Sequence, residues 1–94
     1  PVWNGGKYGE AEKLKDVYQN CLKLAEEHQI TSIAFPCIST GEYGFPFEKA
    51  CLIALSAVYE MIPKLNMIEI AMVCYSENDF KQYSDIFNAF EKAQ

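Results

Sequence analysis

"SIAFPCISTGEYGFPFEKACLIAL", residues 32–55, is the stretch on which the fold of this chain turns. Its first seven residues, Ser32 to Ile38, are short, apolar and bounded by polar turns, the pattern of a β-strand covered on both faces. Pro36 cannot donate to a sheet ladder, so it belongs near the C-terminal end of that strand. Gly41 and Gly44 then open a loop around a glutamate and a tyrosine. Past the loop, Pro46 suits the first helical position and Glu48 the first turn, where a carboxylate complements the helix dipole. Phe47, Ala50, Cys51, Ala54, Ala57, Val58, Met61 and Ile62 recur at helical spacing up to Pro63, which stops the helix. Leu52, Ile53 and Leu55 make its other side apolar too, so this helix is expected to be well buried.

The flanking sequence alternates in the same way. Upstream, "NGGKYGE" is a cluster of turn residues, and Leu14, Val17, Tyr18, Cys21, Leu22 and Ala25 fall on one face of a helix predicted from Glu10 to His28. Downstream, "MIEIAMVCY", Met67 to Tyr75, reads as a second strand. Ser76 and Asp79 have the spacing of a helix start, and Phe80, Tyr83, Phe87 and Phe90 form an apolar stripe expected to face the core. The order helix, strand, helix, strand, helix predicts an α/β fold with a parallel sheet. Two strands are too few for three largely apolar helices to cover, so the sequence reads as part of a larger domain.

Composition narrows the function. The chain has 94 residues, 50% hydrophobic and 22% charged, which fits one ordinary globular domain. No window approaches the roughly 18 apolar residues of a membrane span, and the N-terminus lacks the features of a signal peptide, so a cytoplasmic location is expected. A formal charge of −5 argues against broad electrostatic attraction to nucleic acid or anionic lipid. Cys21, Cys37, Cys51 and Cys74 lie far apart in apolar surroundings and match neither a metal site nor a secreted disulfide framework. They are read as buried thiols, and neither a metal nor a cofactor is expected.

The loop from Ser39 to Phe45 follows a strand of a predicted parallel sheet and leads into a helix, the place where such sheets bind ligands. Glycines let the backbone approach a ligand closely, and N–H groups with a helix N-terminus can cradle phosphate without a lysine. The same residues would also serve a plain strand-to-helix turn. The segment has neither the GK[ST] of a P-loop nor the GxGxxG of a dinucleotide-binding turn. A nucleophile among Cys37, Ser39 and Thr40 with His28 as base is excluded by position: His28 ends the preceding helix, roughly 20 Å away along the strand. Tyr75 closes the second strand at the same predicted edge, where its ring either stacks on a base or sugar or caps the core.

Taken with its neighbours, the stretch resembles the strand, loop and helix of macrodomains, the ADP-ribose-binding, Appr-1''-p processing family. That family's pattern is an apolar strand followed by Ile-Ser-Thr-Gly-x-Tyr-Gly-aromatic-Pro. "PVWNGGKYGEAEKL" and the last strand with "CYSENDF" are similar to further macrodomain segments, so the likeness covers essentially all 94 residues. It implies a three-layer α/β/α module with a largely parallel central sheet, of which residues 1–94 are the C-terminal portion of a single domain.

By the same resemblance, Ser39, Thr40, Gly41, Glu42, Tyr43 and Gly44 match the loop over the diphosphate and distal ribose of ADP-ribose. Phe45 matches the aromatic beside that ribose, and Tyr75 the aromatic that stacks on adenine. Family members either bind ADP-ribose and ADP-ribosylated proteins, or hydrolyse ADP-ribosyl esters or O-acetyl-ADP-ribose. The family's adenine-binding acidic residue, its "NAAN"-like asparagines and its aspartate-containing glycine loop are missing from this sequence. No catalytic residue is therefore assigned, the chain alone is expected to be inactive, and self-association through its incomplete sheet is a further expectation.

Overall fold

The computed structural model describes residues 1–38, 44–67 and 69–94. Three helices and two strands follow the predicted order: α1 (Glu10–Glu27), β1 (Ser32–Pro36), α2 (Phe47–Met61), β2 (Glu69–Val73) and α3 (Glu77–Lys92). The strands pair in parallel, with Ser32 opposite Glu69 and Pro36 opposite Val73. Pro36 is the last residue of β1, where its missing N–H disturbs no interior rung. At their C-terminal ends both strands stop short of the apolar runs that predict them, at Pro36 and Val73, where the chain turns away toward α2 and α3.

The sheet meets the helices with one face. Phe35 is buried, and Ile33, Ile70 and Met72 pack beside it on the helical core. Ser32, Ala34, Pro36, Glu69 and Val73 point the other way and are exposed. The expectation of a strand covered on both faces thus fails for the described residues: the side-chain period of two puts half of each strand on a face that no helix here covers. Two of the three expected layers, helices and sheet, lie within the described residues.

α2 is the central helix. On one side its Ala50, Ala54, Ala57 and Val58 meet Leu14, Tyr18 and Leu22 of α1; on the other, Cys51 and Leu55 meet Tyr83 of α3. The alanines allow the α1 and α2 backbones to approach closely. At the rim Lys15 pairs with Glu60 at 2.6 Å, and Tyr59 donates to Glu91 at 3.0 Å, fastening α1 and α3 respectively to α2. The helix is well buried, as expected, though Leu52 on its other side faces solvent. Beyond Met61 the chain tightens into a single 3-10 turn, Ile62–Lys64, at Pro63.

α3 starts as the sequence predicts: the Ser76 hydroxyl accepts the Asp79 N–H at 3.1 Å. Ser76→Ala should cost about 1 kcal/mol of stability, measured by urea denaturation, and an unchanged midpoint would contradict that role. The aromatic stripe is only partly internal. Tyr83 is buried, and Phe87 and Phe90 are half-buried, but Phe80 is 63% exposed. Phe80 sits on the first turn of α3 and lines the open side of a groove of about 660 Å³ between α3, α2 and β2.

Candidate functional site

Parallel pairing carries the C-terminal ends of both strands to one edge of the sheet. Cys37 and Ile38 leave β1 there, and Cys74 and Tyr75 leave β2 beside them. Ser39, Thr40, Gly41, Glu42 and Tyr43 of the proposed ligand loop lie outside the described residues; Gly44, Phe45 and Tyr75 lie within them.

Gly44 has φ +77°, in the left-handed region, and among the described residues a Cβ built on it would meet nothing within 4 Å. The backbone alone therefore requires glycine at this position. Gly44→Ala should destabilise by about 1–2 kcal/mol with no steric clash, read from the shift of the urea midpoint. Phe45 is 3% exposed, its ring turned into the core at 5.0 Å from Trp3. It supports the edge from beneath. Pro46 is the N-cap of α2 rather than the first helical residue that the sequence suggests, and its carbonyl accepts the Ala50 N–H at 2.9 Å. No side chain caps α2 among the described residues, so the N–H groups of its first turn lack a side-chain acceptor at the end where the loop joins it.

Tyr75 is 97% exposed. Of the two roles open to it, capping the core is thereby overturned, and a free aromatic face at the strand edge remains. His28 is the C-cap residue of α1, leading into the N-terminal end of β1, at the edge opposite the loop. It cannot serve as base for a nucleophile near residue 39. Burial, with the neighbouring Cys74, pushes the Cys37 thiol up to about 11, so at neutral pH it is not a thiolate nucleophile.

Several residues that periodicity leaves anonymous support this edge. The Tyr18 hydroxyl donates to the Pro36 carbonyl at 3.5 Å and accepts the Ile38 N–H at 3.4 Å, linking α1 to the end of β1. Its burial pushes its pKa up to about 12, so it stays a neutral donor and acceptor. Tyr83 brings a second hydroxyl, buried and without a hydrogen-bond partner among the described residues. The only sequence signal for either was a tyrosine where a phenylalanine would fill the same stripe.

Glu10 is the other residue missed. Though first in α1 and carrying a carboxylate, it is 2% exposed. The carboxylate accepts the N–H groups of Asn4 at 2.6 Å, Gly6 at 2.9 Å and Tyr8 at 2.7 Å, winding "NGGKY" around itself. Trp3, at the base of that turn, lies against Phe45 and beneath Lys49, whose Nζ is 5.3 Å from the ring centroid. The N-terminal turn therefore packs against Phe45 at the start of α2.

The expectation of buried thiols holds for Cys51 alone. Cys21 is exposed, and Cys37 and Cys74 are half-buried. Among the described residues no helix is long and apolar enough to cross a membrane, and no three His, Cys, Asp or Glu side chains are grouped to hold a metal ion.

The family pattern described as the Macro domain matches residues 1–54. The chain belongs to the macro domain family. It is 50% identical over 84 residues to a macro domain-containing protein of Chlorobaculum tepidum, covering 88% of this chain and 49% of that protein. It is 46% identical over 85 residues to an O-acetyl-ADP-ribose deacetylase of Salmonella newport, covering 89% and 48% respectively. Its fold superposes on the Oceanobacillus iheyensis macrodomain with ADP at a TM-score of 0.93 and 31% identity, over all of this chain and 50% of that one. The Trypanosoma brucei macrodomain in complex with ADP-ribose matches at a TM-score of 0.72 and 32% identity, over 80% and 33%. The chain spans about half the length of the curated relatives it matches.

Proposed function

We propose that this chain forms one wall of an ADP-ribose site, with the loop Ser39–Phe45 at the diphosphate and distal ribose and Tyr75 against the adenine. The observation that carries this reading is the parallel register, which puts the start of the loop, the N-terminus of α2 and the exposed Tyr75 ring at one edge. Backbone N–H groups and a helix N-terminus hold a diphosphate in a chain of net charge −5 without a basic cluster. Macrodomains bound to ADP and ADP-ribose, with folds like this one, support the choice of ligand.

In the whole domain the reaction is hydrolysis of O-acetyl-ADP-ribose or of ADP-ribosyl esters on proteins, a reading supported by the deacetylase relatives. No histidine stands at this edge among the described residues. In this reading the contribution of the chain is positional: backbone donors and Tyr75 hold the nucleotide. Calorimetric titration with ADP-ribose, using AMP as control, tests binding. Heat with ADP-ribose that weakens on Tyr75→Ala supports the assignment, and binding indifferent to Tyr75 removes the stacking role. Release of acetate from O-acetyl-ADP-ribose by a chain extended to the length of its relatives distinguishes a hydrolase from a recognition module.

A second reading concerns the 94 residues on their own. The outer sheet face with Ala34, Pro36 and Val73, and the apolar groove beside β2 lined by Ile70, Met72, Phe80 and Phe87, favour self-association. Size-exclusion chromatography with light scattering tests it, and a monomer at micromolar concentration would refute it.

A further inference from the structure

Cys37 and Cys74 are the residues immediately after Pro36 and Val73, the last registered pair of the sheet. Extending the parallel ladder by one step sets them opposite each other on its helix-facing side, and both pack against the cluster of Cys51, Leu55 and Tyr83. The Cys37 Sγ donates to the Val73 carbonyl at 3.6 Å, and the Cys37 and Cys74 thiols share a hydrogen bond. Adjacent strands hold opposed Cα atoms about 4.8 Å apart, inside the 4.4–6.8 Å range that a disulfide bridges.

We infer that Cys37 and Cys74 form a redox-sensitive pair whose disulfide locks together the two strand ends that carry the ligand edge. Nothing in this inference depends on what the edge binds. The oxidation is written from Cys74, and the same balance holds with the two sulfurs exchanged. With hydrogen peroxide as oxidant, the Cys74 sulfur takes one oxygen to give a sulfenic acid and releases water. The Cys37 thiol then attacks that sulfur: the S–S bond forms, the S–O bond breaks, and the Cys37 proton leaves with the departing hydroxyl as a second water. Two electrons pass from the thiols to the peroxide. Cys51 is more deeply buried, its thiol pushed up to about 12 by burial, and it takes no part. Cys21 is exposed on α1, away from the sheet edge.

The test needs only the intact chain. Cleavage after Lys15, Lys23, Lys49, Lys64 and Lys81 leaves each of the four cysteines on its own peptide, so the linked pair can be read directly. After mild peroxide treatment the monomer should lose two hydrogens, about 2 Da, and the peptide holding Cys37 should appear joined to that holding Cys74, with reversal by dithiothreitol. Cys74→Ser should abolish the intramolecular link, whereas Cys21→Ser should leave it intact. The oxidised chain should melt on the order of 5–10 °C higher than the reduced one, because the bridge closes a loop of more than 30 residues. A link through Cys51 or Cys21, dimers only, or no loss of mass would overturn the pairing. A lower melting temperature on oxidation would overturn the lock.

Discussion

Glu10→Ala is expected to lower the melting temperature by on the order of 10 °C, a large effect for one side chain on a domain this size. The carboxylate is the common acceptor for three backbone N–H groups, and without it the turn from Asn4 to Tyr8 loses its centre. Burial alone would raise its pKa; the N–H groups of Gly6, Asn4 and Tyr8 outweigh that and bring it from 4.5 to about 2. The folded-state value lies below the unfolded one, so the stabilisation is fully present above pH 4.5 and is lost as pH falls toward 2. Melting temperatures measured from pH 7 to 2 should therefore decline through that window in the parent protein and decline less in Glu10→Gln. A Glu10→Ala chain that melts with the parent at pH 7 would show the turn to be held by something else.

Gly6→Ala is expected to cost about 2–4 kcal/mol, the sum of a positive-φ penalty and of overpacking. Gly6 has φ +86°, and a Cβ there would lie 2.7 Å from Cη2 of Trp3. That ring cannot swing clear without breaking its contact with Phe45. Gly5 provides the internal control. Its φ is +90°, but a Cβ there would meet nothing within 4 Å, so Gly5→Ala should show the backbone penalty alone, about 1–2 kcal/mol. Urea denaturation of the two variants separates the effects, and equal midpoints would mean that the Trp3 ring yields freely.

Particular residues show how far the sequence could be read. The helices were legible because each has a strong local signal: Leu14, Tyr18, Leu22 and Ala25 at 3.6-residue spacing, Pro63 as a stop, and Ser76 as a cap. The parallel sheet followed from their alternation with two apolar runs. Which strand faces are covered was not legible, since Ala34 and Val73 are as apolar as residues that do meet a helix, and coverage is a property of the assembled layers. Phe80 misled for a related reason: it keeps the helical spacing of Tyr83 and Phe87 but sits where α3 has passed the edge of its neighbours.

For the candidate site, the position of Tyr75 at the C-terminal edge of the sheet was legible from element order alone. The ligand was not, and came from the resemblance. Glu10, Tyr18 and the pairing of Cys37 with Cys74 stayed hidden because each acts across a long stretch of sequence or through backbone N–H groups, which no side-chain pattern records.

Trp3 is the only tryptophan in the chain, and its ring touches Phe45 at the end of the proposed ligand loop while Lys49 lies over it. The molecule therefore carries its own optical probe at that point. Indole emission responds to a nearby ammonium group and to the packing of adjacent rings, so titrations of ligand or oxidant can be followed by excitation near 295 nm with no label attached.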